Sequence, residues 1–160
     1  MTDLPGRIAK ECVEGYLFSA PPLKLLLFRR PPARGRIWVP ISGKVEPTDR
    51  DFPSALCREV EEETGLVLAP DRLIDLDWHV PFPVDSGELW RLHAFAIPVP
   101  RLFRPRLSAE HDTAEWVSAE EAVRRLHFED NRRAVDRLVA ALSRRRPASE
   151  PSRSGDPPNV

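Results

Sequence analysis

The chain opens with two apolar stretches. Residues 8–19 and 23–29 read as strands, and Pro21 and Pro22 mark the turn between them. A loop rich in Pro, Arg and Gly follows at 30–36. The short apolar segment Ile37 to Ile41 predicts a strand broken by Pro40, and Gly43 to Asp51 reads as a polar loop. Pro53 suits the first turn of a helix, which Ala55, Leu56 and Val60 carry to Thr64. Leu66 to Leu68 and Leu73 to Val80 read as strand material. Leu89 to Val99 alternates as a strand ended by Pro98 and Pro100, and Thr113 to Val117 is a short one. Ser118 opens a capping box with Glu121, and that helix runs to Leu126. Asp130 caps a last helix whose apolar face is Val135, Leu138, Val139 and Leu142. Beyond Arg144 no apolar pattern remains.

The order of strands, helix, strands, helix, helix predicts an α/β (α+β) fold, a mixed central sheet with helices packed on its faces. A chain of 160 residues suffices for one domain with a sizeable core. That domain is expected over residues 1–145, with 146–160 a disordered tail of Arg, Pro and Ser. Apolar content of 41% and charged content of 31% are ordinary for a soluble protein, and the formal net charge of −1 offers no electrostatic case for a nucleic-acid or membrane partner. The two cysteines, Cys12 and Cys57, make no disulfide framework and read as reduced thiols. Met1 to Lys10 lacks a signal-peptide core, and the longest apolar run, Leu25 to Phe28, is too short to cross a bilayer. A cytoplasmic location is expected.

The chemistry concentrates in Arg58-Glu-Val-Glu-Glu-Glu-Thr-Gly-Leu66. Glu59, Glu61, Glu62 and Glu63 occupy the last two turns of a helix that Gly65 ends, where the macrodipole is negative and each anion costs about 0.3–1 kcal/mol. A glutamate run on a helix ordinarily marks a solvated face. Here Glu59, Glu62 and Glu63 stand at i, i+3 and i+4 and share one side, which suits hard oxygen ligation of Mg²⁺ or Mn²⁺. Glu61 falls outside that face.

Upstream, Gly43 is followed after five residues by Asp49, and Arg58-Glu59, Glu62-Glu63, Gly65 and Leu66 come in step behind it. This resembles the Nudix box: Gly, five residues, Glu, seven residues, Arg-Glu, an aliphatic, any residue, Glu-Glu, any residue, Gly and an aliphatic. Two departures stand out. Asp49 replaces Glu, and one extra residue precedes Arg58. The resemblance implies an α/β/α sandwich and hydrolysis of a phosphoanhydride. It also implies metal ligation by the Gly43 carbonyl, Glu59 and Glu63, with Glu62 as ligand or general base and Arg58 holding Glu59.

Trp38 to Glu46, Glu110-His111 with Trp116-Val117, and Asn131-Arg132 are further similar to segments of bacterial dihydroneopterin triphosphate pyrophosphohydrolases. Glu110 is thereby a candidate outlying metal ligand or base. Trp38, with Phe82 and Trp90, is a candidate to stack on a planar ring. Arg36, among Arg29, Arg30 and Arg34, is a candidate phosphate clamp. Asn131 is a candidate for substrate contact or helix capping, while Trp78 and Trp116 are expected in the core. The expected function is Mg²⁺-dependent pyrophosphohydrolysis of a nucleoside or pterin triphosphate. Alternatives are hydrolysis of a dinucleoside polyphosphate or of ADP-ribose, and a non-catalytic nucleotide sensor.

Overall fold

In the computed structural model, which describes residues 6–145, two long strands lie side by side at the centre. β1 (Ile8–Ser19) and β6 (Leu89–Pro98) run parallel, with Cys12 opposite Leu92 and Gly15 opposite Phe95. Around them stand β2 (Lys24–Arg29), β3 (Trp38–Val39), β4 (Ile41–Lys44), β5 (Ile74–Pro83) and β7 (Thr113–Val117). The order β3-β2-β1-β6-β5, with β4 on β1 and β7 on β2, makes a mixed seven-stranded sheet. All pairings other than β1 with β6 are antiparallel.

The side-chain period of two sorts β1 into two cores. Val13 and Leu17 pack with Leu26, Phe28 and Ile97 against Ala55, Leu56 and Val60 of α1 (Phe52–Thr64). Tyr16 and Phe18 face the other way. With Leu25, Leu27 and Val117 they meet Ala122 of α2 (Ala119–Arg125) and Ala134, Val135 and Leu138 of α3 (Glu129–Arg145). The result is the expected α/β/α sandwich. At Gly15 the packing is close, since a Cβ there would come within 2.6 Å of Ile97 and 2.9 Å of Leu56 and would have to displace those side chains. Cys12 and Cys57 are both free and buried. Among the described residues no helix is long and apolar enough to cross a membrane. The expected tail at 146–160 lies outside the described residues.

Several expectations are corrected. Leu66 to Leu68 form no strand: Leu66 and Leu68 pack on the α1 core while Val67 is 74% exposed, so the alternation serves a loop that lies on the core. Gly43 belongs to β4 rather than to a loop. α1 is capped by Asp51, whose Oδ1 accepts from the Ser54 amide at 2.8 Å, with Pro53 in the first turn as anticipated. α3 begins at Glu129, so Asp130 lies in its first turn rather than at its cap. Val139 is exposed, and the buried face of α3 runs through Ala134, Val135, Leu138 and Ala141. Trp78 and Trp116 are only half-buried. The indole nitrogen of Trp78 donates to the Asp130 carbonyl at 3.3 Å, and that of Trp116 to the Phe103 carbonyl at 2.8 Å.

Candidate active site

The site forms where β4 passes the C-terminal half of α1. Pairing of Val13 with Gly43 fixes β4 on the central strand. Gly43 then faces Glu59 so closely that a Cβ would stand 2.0 Å from the Glu59 carboxyl carbon. Only a residue without a side chain leaves room for that carboxylate beside the backbone. Gly65 ends α1 in the left-handed region at φ 78°, its amide donating to the Glu61 carbonyl at 2.9 Å.

Arg58 organises the helix side. Its Nε donates to Asp49 Oδ1 at 3.0 Å and its Nη2 to Asp49 Oδ2 at 2.9 Å, while Nη1 reaches Glu59 Oε1 at 3.0 Å and Glu62 Oε1 at 3.4 Å. Nη2 also donates to the Lys44 carbonyl at 3.0 Å, which ties the helix to the end of β4. Burial pushes the Glu59 carboxyl up to about 7. Arg58 opposes that rise and the charges of Glu62 and Glu63 add to it.

Glu63 differs from its neighbours. Its side chain is 5% exposed, accepts from the Ser108 hydroxyl at 2.6 Å and lies 3.1 Å from Nδ1 of His111. Burial raises this carboxyl, but the bonds to His111 and Ser108 outweigh it and hold it below the usual range. Glu59 and Glu62 thus turn to Arg58 and Glu63 to the segment at 108–111. Among the described residues no three metal-binding side chains converge on one point. The donor set nonetheless suits a hard divalent cation: a carbonyl at Gly43, a partly buried carboxyl at Glu59 that Arg58 already holds, and two more carboxylates one turn on.

Beside this face opens a cavity of about 580 Å³, lined by Gly43, Glu59, Glu62 and Glu110 and by the cations of Arg30, Arg34 and Lys44. Glu110 is 58% exposed, with Arg34 at 3.9 Å. Burial lowers the pKa of Arg30, and the charge of Arg34 lowers it further. Carboxylates and cations thus share one cleft.

A NUDIX domain model matches residues 16–138, which takes in both core layers and the whole site. The chain belongs to the Nudix family. An octanoyltransferase of Myxococcus xanthus is 38% identical over 123 residues, 75% of this chain and 33% of that protein, so the chain spans about a third of its length. Among solved structures, the Escherichia coli dihydroneopterin triphosphate pyrophosphohydrolase superposes with a TM-score of 0.72 at 20% identity, covering 84% of this chain and 99% of that one. A Caenorhabditis elegans Ap4A hydrolase in a binary complex gives 0.70 at 20% identity, covering 84% and 98%. At such identities these likenesses speak for the fold.

The remaining candidates of the Nudix chain fall in different places. Trp38 lines neither this cavity nor the one beside it. Its ring packs on the core of the α2–α3 layer beneath the guanidinium groups of Arg125 at 5.4 Å and Arg29 at 5.9 Å. Arg36 also lines neither cavity and stands exposed at φ 54°, whereas Arg30 and Arg34 from the same loop point into the site. Asn131 caps no helix. It is buried, and its Nδ2 donates to Glu14 Oε2 at 2.9 Å beneath a second cavity. Glu14, Lys44, Ser108 and Phe128 were not singled out from sequence. For Glu14 a signal existed: it is the one acid within the apolar run Val13 to Phe18. For Ser108 none did.

Proposed function

We propose that this chain is a divalent-metal-dependent pyrophosphohydrolase that cleaves a phosphoanhydride bond of a nucleoside triphosphate or a pterin triphosphate in the cytoplasm. The observation that carries this reading is the contact of Glu59 with Gly43 at the edge of a cleft that holds Glu62, Glu110, Arg30 and Arg34. Gly43, Glu59, Glu62 and Glu63 are the residues that would hold Mg²⁺ or Mn²⁺. A bound divalent ion would neutralise phosphate oxygens and ease in-line attack by water. Arg30 and Arg34 bind the phosphate chain and orient it. Arg58 positions Glu59 and Glu62 without touching substrate. Glu62 and Glu110 both line the cleft and are more than half exposed, at 55% and 58%, which leaves them free to take the proton of the attacking water.

A hydrolysis screen in Mg²⁺ over nucleoside triphosphates, dihydroneopterin triphosphate, diadenosine tetraphosphate and ADP-ribose, with products identified, tests this. Pyrophosphate with the matching monophosphate is the expected outcome. Cleavage confined to diadenosine tetraphosphate or ADP-ribose would replace the substrate class. Binding without turnover would make the chain a sensor.

A further inference from the structure

We infer that Ser108 is a positioning residue: its hydroxyl ties Glu63, at the end of α1, to the turn that carries Glu110, and so fixes where Glu110 stands in the cleft. This rests on the pyrophosphohydrolase reading for the part given to Glu110 and names the residue that aims it. Glu110 has little of its own to hold it. Its side chain is 58% exposed, and among the described residues its one ion pair, to a 50% exposed Arg34, spans 3.9 Å. A pair so exposed contributes little. The backbone therefore sets the direction of Glu110. Residues 108–111 make a tight turn, in which the His111 amide donates to the Ser108 carbonyl at 3.4 Å and the Glu110 amide to the Ser108 hydroxyl oxygen at 3.2 Å. The same hydroxyl gives its proton to Glu63 Oε2 at 2.6 Å. A serine hydroxyl carries a proton to donate and lone pairs to accept, so it makes both bonds at once.

The segment is anchored on both sides of this turn. Before it, Leu107 packs on the α1 core, and the Arg106 amide donates at 3.0 Å to the Thr64 carbonyl, one of those that a helix end leaves open. After it, Nδ1 of His111 lies 3.1 Å from the same Glu63 oxygen, and the His111 ring centre is 5.2 Å from that of Phe28. The Asp112 amide then donates to the Arg29 carbonyl of β2 at 2.9 Å. Between these anchors the Glu110 backbone is held by the Ser108 hydroxyl. A rigid path thus runs from α1 through Glu63 and Ser108 to Glu110. Removal of the hydroxyl breaks that path and leaves the flanking anchors in place. The cost of such a change falls on the placement of Glu110 against the attacking water, where small displacements lower turnover more than binding.

The test compares the full native chain with Ser108→Ala, Glu110→Gln and the double variant, by kinetics in Mg²⁺ with ATP, GTP and dihydroneopterin triphosphate and by amide exchange in magnetic resonance spectra. Ser108→Ala is expected to lower kcat about tenfold with KM within about twofold of native. In the Glu110→Gln background the same substitution is expected to cost less than about twofold, because the group it aims is already gone. Ser108→Thr keeps the hydroxyl and is expected to hold kcat within about threefold of native. The Glu110 amide is expected to exchange about tenfold or more faster in Ser108→Ala, with the α1 amides unchanged. Native kcat in Ser108→Ala, or an equal cost with and without the Glu110 carboxylate, overturns the inference. Native kcat in Glu110→Gln overturns it too and leaves the pyrophosphohydrolase reading standing on Glu62. Unchanged exchange at Glu110 in folded Ser108→Ala overturns the seating of the turn. If the native chain cleaves none of the three triphosphates, that reading fails and takes the part given to Glu110 with it, while the exchange measurement still decides whether Ser108 seats the turn. Ser108→Cys, similar in size but a weak donor, is expected to match the alanine variant and decides the matter should that protein not fold.

Discussion

Arg58 grips Asp49 with two parallel hydrogen bonds, Nε to Oδ1 at 3.0 Å and Nη2 to Oδ2 at 2.9 Å. The shorter acid and the added residue before Arg58 therefore do not cost the pair. The loop brings Asp49 inward by closing on itself: Asp49 Oδ2 accepts from the Glu46 amide at 2.7 Å, and the Asp49 amide donates to the Glu46 carbonyl at 2.9 Å. The same guanidinium then reaches Glu59. Removing the acid frees the group that aims a candidate metal ligand. Asp49→Ala is expected to cost about 1–3 kcal/mol of stability, read by urea unfolding, and to lower kcat more than it raises KM. A variant with native stability and turnover would show that Arg58 is held by other means.

Gly43→Ala is expected to abolish most turnover with little change in fold. The new methyl group would occupy the space of the Glu59 carboxylate and push it away from β4. Hydrolysis rates and a far-ultraviolet spectrum together check this. Native rates would mean that Glu59 works from elsewhere.

Glu63→Gln separates the roles of the helix carboxylates. It keeps the shape that Ser108 and His111 hold but removes the charge. Turnover is expected to fall by at least about a hundredfold with the fold retained and the melting temperature somewhat lowered, because those bonds stabilise the anion. Unchanged activity at saturating Mg²⁺ would remove Glu63 from the ligand set.

Stability is expected to fall as pH rises from about 5 to about 8. Burial lifts the Glu14 carboxyl from its usual 4.5 to about 8 in the folded protein, although the Tyr16 hydroxyl bond works against that rise. The folded chain holds this proton where the unfolded chain has released it. The stabilisation is thus complete below the unfolded value and is lost as pH climbs through the folded one. Glu14→Gln has no such proton, so its melting temperature is expected to vary less over that interval. Parallel pH curves for the two proteins would assign the dependence to other groups.

Much of this molecule was legible because local patterns and tertiary needs agree. The apolar runs at 8–19 and 89–98 became the paired central strands, and Ser118 caps its helix at 3.1 Å from the Glu121 amide, although the Glu121 carboxylate turns to Arg124 and Arg125 instead of closing the expected capping box. The misplaced anions before Gly65 pointed to a site because an electrostatic cost needs a local reason. What stayed hidden depends on contacts between distant segments. Trp38 and Arg36 adjoin the motif in sequence, yet the strand pairing of Trp38 with Arg29 turns that indole under Arg125 and away from the cleft. Glu14 and Asn131 meet across 117 positions of sequence, a separation that no local period reports. Ser108 became a partner of Glu63 only because the irregular segment after β6 folds back over the end of α1, where the Arg106 amide donates to the Thr64 carbonyl at 3.0 Å.

The central claim is that the carboxylate face of α1 holds a divalent ion needed for catalysis. It is tested most directly by measuring Mn²⁺ binding through the paramagnetic resonance of the free ion, with nucleoside triphosphate hydrolysis followed on the same samples. Native protein and Glu59→Gln are compared. The native chain is expected to bind Mn²⁺ and hydrolyse its substrate, and the folded variant to lose both together. Native Mn²⁺ affinity with native turnover in Glu59→Gln would contradict the claim.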